Sequence, residues 1–110
     1  MRKQELENWV ENGGDLPDDL TVDEKSYLKG LGWSVEEEWH KKGQKELEGH
    51  YLHGKEHGVQ KMWYKNGQKY CEENYHHGKK HGTQKRWWYD GILEAHKEYA
   101  YGVFLKDFLK

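Results

Sequence analysis

A period of 24 residues runs through the chain from Trp39 onward. Rows begun at Trp39, Trp63 and Trp87 read WHKKGQKELEGHYLHGKEHGVQKM, WYKNGQKYCEENYHHGKKHGTQKR and WWYDGILEAHKEYAYGVFLKDFLK. Besides the leading Trp, three columns hold throughout: Gly43, Gly67 and Gly91; Tyr51, Tyr75 and Tyr99; Gly54, Gly78 and Gly102. A unit repeated at fixed spacing cannot bury its own apolar face, so it stacks on its neighbours.

The first two rows also share His53 with His77, Lys55 with Lys79, His57 with His81, Gly58 with Gly82, and Gln60-Lys61 with Gln84-Lys85. The third row diverges over its last nine residues, as expected of a unit that ends a stack. One period back, Gly30 falls under Gly54, Tyr27 under Tyr51, Glu24 under Glu48 and Val35 under Val59. The expected layout is one domain: a capping helix in 1–14, a degenerate partial repeat in 15–38, and full repeats at 39–62, 63–86 and 87–110.

Asn66-Gly67 and Asp90-Gly91, with Lys42-Gly43 in the same slot, predict two-residue hairpin turns, because these residues accept positive φ. The Gly-Lys-x-His-Gly segments predict a second, longer connection. Each repeat is then two antiparallel strands and two turns, and about six strands form a meander. Along Val59–Tyr64 neither alternating face is wholly apolar, which predicts a single-layer sheet with water on much of both sides. Hydrophobic residues are 34% and charged residues 35% of the chain, yet aromatics reach 15%, so cross-strand ring pairs must stand in for a thick aliphatic core. The fold class expected is all-β with a short N-terminal helix.

That helix is read from Leu6, Trp9 and Val10 at helical spacing within Lys3–Glu11, with Asn12-Gly13-Gly14 as its stop. It is expected to cover an edge or one end of the sheet. At the other end Val103, Phe104, Leu105, Phe108 and Leu109 form an apolar stretch that either packs on the last hairpin or meets another molecule.

Composition excludes some functions. The formal net charge of −2 lacks the overall basic footprint of a nucleic-acid binder. The single Cys71 forms no internal disulfide and suits a reducing compartment. No stretch approaches the roughly 20 apolar residues of a membrane span, so a cytoplasmic protein without a transmembrane segment is expected.

The Trp-Tyr-x-Asn-Gly…Tyr-x-x-Gly-Lys-x-x-Gly pattern of residues 63–82 resembles the MORN-repeat variant of bacterial proteins, including antitoxin-like ones, and the likeness covers about residues 30–103. The resemblance implies a β-sheet scaffold for protein contacts, linked in some eukaryotic proteins to membrane lipids, with no catalytic residues attached to the motif. Upstream, Leu16-Pro17-Asp18-Asp19-Leu20-Thr21-Val22 is similar to the LPxxLTV unit of phage and gut-bacterial repeat proteins, although Asp23-Glu24 replaces its usual glycine pair. This second likeness implies a phage or bacterial source, with a host cytoplasm as the location for a phage protein.

The histidine pairs His53/His57 and His77/His81 have a four-residue spacing that would converge on a helix, but flanking glycines argue against one. Glu56 becomes Lys80 in the next repeat, so no acidic column joins them, and no metal site is expected. They read as exposed side chains at turns on one rim. Cys71 shares its column with Leu47 and Ala95, which marks a small packing position, not a nucleophile. Glu36-Glu37-Glu38 and Glu72-Glu73 read as solvated charge, and no phosphate-binding glycine loop occurs. Neither catalysis nor a cofactor is expected.

Binding remains. Trp63, Tyr64, Tyr75, Arg86, Trp87, Trp88, His57 and His81 are candidate contacts for a protein partner, since aromatic residues and Arg are enriched at interface hot spots. The partner could be a toxin or defence factor inhibited by occlusion, and a homo-oligomer is also compatible. The alternative is nucleic-acid or anionic-lipid binding through Lys45, Lys69, Lys61, Lys85, Lys55 and Lys79, with rings for stacking. A further alternative is sequestration of a small nucleotide signal at an oligomer interface.

Overall fold

The computed structural model describes residues 1–110, and two kinds of turn shape it. Two helices, α1 (Lys3–Asn12) and α2 (Val22–Gly30), precede strands β1 (Trp33–Trp39), β2 (Lys45–Leu52), β3 (Lys55–Glu56), β4 (Gly58–Trp63), β5 (Lys69–His76), β6 (Lys79–Trp87), β7 (Leu93–Ala100) and β8 (Val103–Asp107). All neighbours pair antiparallel, in the meander order β1-β2-β4-β5-β6-β7-β8, with short β3 paired to β2. The sheet thus has eight strands where six were expected.

The turns exchange the roles expected of them. At Asn66-Gly67 the Tyr64 N–H donates to the Gln68 carbonyl (2.8 Å) and the Gly67 N–H to the Tyr64 carbonyl (3.0 Å). Only Gly67 has positive φ (87°), so this is a three-residue loop, a type I turn closed by a left-handed glycine. His40–Gln44 and Trp88–Ile92 repeat the same bonds. The two-residue turns are His53-Gly54, His77-Gly78 and Tyr101-Gly102, where both residues have positive φ (52° and 79°, 47° and 86°, 47° and 88°). That is the type I′ geometry that matches strand twist, and histidine is among the residues that tolerate it.

After each two-residue turn the returning strand bulges. Tyr51 faces Glu56 and Glu48 faces Lys61, so Gly49 and His50 lie opposite four residues, His57 to Gln60. In the next repeat Tyr75 faces Lys80 and Glu73 faces Gln84, leaving Asn74 opposite His81, Gly82 and Thr83. Bulges re-aim side chains, and here they turn the second histidine of each motif inward.

The partial repeat is corrected in its first half. Tyr27 and Gly30 lie in α2, because Thr21 and Glu24 form a capping box: the Glu24 N–H donates to Thr21 Oγ1 (3.1 Å) and the Thr21 N–H to Glu24 Oε1 (3.0 Å). A satisfied helix start outcompetes the strand that the spacing suggested. The second half survives as β1, whose Trp39 ends an edge strand as Trp63 ends β4 and Trp87 ends β6.

One apolar core exists, at the N-terminal end, where Leu6 and Trp9 of α1, Leu16, and Leu28 of α2 meet Trp33 and Leu52 of the sheet. Buried Glu24 is ion-paired to Arg2 (2.9 Å), which holds its carboxyl well below the usual range and ties the two helices together. The expected capping helix therefore lies against the first repeat, and the rest of the sheet stays a single layer.

Candidate interaction surfaces

Successive turns alternate between two rims of the meander. One rim carries the two-residue turns and the histidines. His57 is fully buried and edge-on to Trp9, ring centres 4.9 Å apart. Its Nε2–H donates to the Trp9 carbonyl (2.8 Å) and its Nδ1 accepts the His77 backbone N–H (3.1 Å). One imidazole thus joins α1, its own repeat and the turn of the next. His81 repeats half of this device, its Nδ1 accepting the Tyr101 N–H (3.1 Å). The same turns are tied a second time, as the Gly78 and Gly102 N–H groups donate to the Glu56 (2.8 Å) and Lys80 (2.7 Å) carbonyls.

The expectation that His57 and His81 are exposed partner contacts is therefore corrected: the bulge buries the first and half-buries the second, whereas His53 and His77 occupy the exposed turns. Burial pushes the His57 pKa below 6.5, with the neighbouring His77 and His76 adding to the effect. Both ring nitrogens of His57 are engaged, so neither faces a metal.

Gln60 and Gln84 were not singled out as functional, and the bulge explains their recurrence. Gln60 Oε1 accepts the His50 N–H (2.7 Å) while its Nε2 donates to the His50 carbonyl (2.8 Å), bridging backbone that the bulge pulls apart. Gln84 makes only the second of these bonds, its Nε2 donating to the Asn74 carbonyl (2.7 Å).

The opposite rim carries the three-residue turns and most of the aromatic candidates. Trp63, Tyr64 and Trp87 are half-buried and engaged in the sheet, whereas Arg86 and Trp88 are exposed; Tyr75, also half-buried, lies instead at the histidine rim, opposite Gly58 and Lys80. Tyr64 packs edge-on to Tyr70 and Tyr89, and Lys69 Nζ sits 5.8 Å from the Trp87 ring centre. Burial pushes the Tyr75 hydroxyl up to about 12. Tyr89 and Ile92, missed by column reading because they lie in the turn of the divergent row, are exposed beside Trp88.

The turn that carries them is held rigid. Tyr64 Oη donates to the Trp87 carbonyl (2.8 Å) and Asn66 Nδ2 to the Tyr89 carbonyl (3.1 Å). Within the turn the Trp88 N–H donates to the Ile92 carbonyl, the Gly91 N–H to the Trp88 carbonyl and the Ile92 N–H to Asp90 Oδ1. The backbone of Trp87–Ile92 is fixed by five hydrogen bonds while Trp88 and Tyr89 stay 54% and 58% exposed.

Three of the six column lysines are committed to acids. Lys45 pairs with Glu37 (2.8 Å) and Glu48 (2.9 Å), Lys61 with Asp15 (3.0 Å), and Lys69 with Glu72. Lys85 lies between Glu72 and His96 in register, and only Lys55 and Lys79 stand free in solvent. Glu48 also accepts from His50 Nε2 (2.8 Å), and that bond, with Lys45, holds its carboxyl down at about 2. An open cleft of about 560 Å³ between α2 and the sheet is lined by Trp33, Trp63, Lys45, Glu48, His50 and Lys61 among others. Of its lysines, Lys45 and Lys61 are ion-paired, whereas Lys25 and Lys29 of α2 make no ion pair.

Cys71 is buried, and burial pushes its thiol up to about 11, which keeps it protonated and a poor nucleophile. No helix is long and apolar enough to cross a membrane. No family model, no curated protein and no solved structure matches the chain.

Proposed function

We propose that the chain is a non-enzymatic protein-binding module that meets its partner through the rim displaying Arg86, Trp88, Tyr89 and Ile92. The observation that carries this reading is a hydrogen-bonded turn bearing two solvent-exposed rings. Exposed Trp and Tyr on fixed backbone lose little entropy on binding, and with Arg they are the residues that dominate interface energies. The resemblance of residues 63–82 to MORN-type scaffolds supports the same reading, and an antitoxin-like or phage-borne inhibitor acting by occlusion is its concrete form. Phosphate binding by the lysine columns is less favoured, since three of the six would first have to give up carboxylate partners. A nucleotide-sequestering pocket shared between copies finds no specific support in the cleft, where Lys45 and Lys61 are already ion-paired to carboxylates.

The test is affinity capture from lysate of the cells that produce the protein, with and without nuclease. A stoichiometric protein recovered under both conditions supports the proposal. Recovery that vanishes with nuclease, and salt-sensitive binding to oligonucleotide, would replace it with the lysine reading.

A further inference from the structure

The two edges of the sheet are treated oppositely. β1 presents Glu36, Glu37 and Glu38, and a row of carboxylates discourages a second copy from pairing there. β8, the other edge, exposes Val103, Phe104 and Leu105, and next to them Tyr101, Phe108 and Leu109 are exposed as well.

These side chains replace polar ones at the same repeat positions. Val103 stands where Lys55 and Lys79 stand, Phe104 where Glu56 and Lys80, Leu105 where His57 and His81, Phe108 where Gln60 and Gln84, and Leu109 where Lys61 and Lys85. The imidazole that receives the next turn and the amide that bridges the bulge are both gone, so this edge is not built to receive another repeat of the same kind. An edge left to water would become more polar here, not less. The substitution of five positions from polar to apolar on the one edge that lacks a row of carboxylates marks a surface that is covered.

We propose that two copies of this chain pair through the β8 edge about a two-fold axis. The six apolar residues are 40–62% exposed, so they offer at most roughly 700 Å² per copy to a partner, a figure close to the about 800 Å² per partner of a standard stable interface. Lys106, Asp107 and Lys110 make no ion pair within the chain, Lys106 resting over the Phe108 ring and Asp107 accepting the Leu109 N–H (3.0 Å). An axis at Leu105 sets Phe104 of each copy beside Lys106 of the other and Val103 beside Asp107, and brings the two Leu105 side chains together, so charges of both signs flank an apolar centre and no like charges meet. Pairing β8 with β1 of another copy would instead set Glu36–Glu38 against apolar side chains and would leave open ends that propagate.

This surface is distinct from the aromatic rim, and either assignment can fail without the other. Sedimentation equilibrium at about 100 µM, where a micromolar dimer is formed, is expected to give twice the 13.3 kDa chain mass. The double variant Phe104→Glu/Leu105→Lys is expected to sediment at the single-chain mass with an unchanged circular dichroism spectrum. Should that variant not fold, Leu105→Cys replaces it: mild oxidation is expected to yield a disulfide-linked dimer, and Val35→Cys on the other edge is not. Four results would each overturn the proposal: single-chain mass for the native sequence, a dimer that survives the double variant, assemblies that grow beyond two chains, or absence of the Leu105→Cys crosslink.

Discussion

At the scale of single residues, the recurring His are joints between repeats and the recurring Gln are braces within them. Gln60 reaches His50 through both ends of its amide, so Gln60→Leu leaves the buried His50 N–H without a partner and is expected to cost about 2–3 kcal/mol. Gln84 makes one such bond and its Oε1 has no partner, so Gln84→Leu is expected to cost clearly less; urea midpoints of the two variants check the order. His57 must be neutral to accept the His77 N–H. Its folded pKa lies below its ordinary 6.5, so the folded state binds fewer protons than the unfolded chain in acid. Its contribution is present above about pH 6.5 and is lost as pH falls through the folded value. Glu48, held at about 2 against an ordinary 4.5, adds a second loss below pH 4.5. The urea midpoint is therefore expected to drop between about pH 7 and pH 5, and to drop less in His57→Gln. The period of 24 made the His and Gln columns visible in the sequence. Their burial was not visible, because it depends on extra residues in one strand, which no spacing within a single row reveals.

At the scale of elements, local chemistry overrode the repeat where the two conflicted. Tyr27 and Gly30 match strand and turn columns, yet Thr21 and Glu24 start a helix whose end groups are satisfied by side chains. The capping signal was present in the sequence and was outweighed by column matching. Thr21→Ala is expected to cost about 1 kcal/mol, read as a lower thermal midpoint, with a smaller effect from Thr83→Ala, which lies outside any cap. Gly58 shows the reverse dependence, of an element on one residue. Its φ is 86°, and a Cβ there would run into the Trp9 indole, so Gly58→Ala is expected to loosen α1 from the sheet. Its signature is a red shift of tryptophan emission at retained strand content. The turns were legible as turns from their glycines. Which was the two-residue one was not, since histidine in a left-handed conformation carries no mark in the sequence.

At the scale of the molecule, the single-layer meander and its N-terminal helix were readable from period, turn residues and aromatic content, and the core was not. That core arises where α1, α2 and the first hairpin converge, a long-range arrangement that no row displays. The same architecture leaves two surfaces different in kind: a hydrogen-bonded aromatic rim, which we propose meets a partner, and an apolar edge, which we propose meets a second copy. The most direct measurement compares nuclease-treated affinity capture by the native chain, by Arg86→Ala/Trp88→Ala/Tyr89→Ala, and by Phe104→Glu/Leu105→Lys. A single stoichiometric protein should be recovered by the native chain and by the edge variant, and at least 30-fold less by the rim variant, the loss of about 2 kcal/mol expected of a hot spot. Equal recovery by all three would contradict the rim as the binding surface, and with it the account of what this sheet is for.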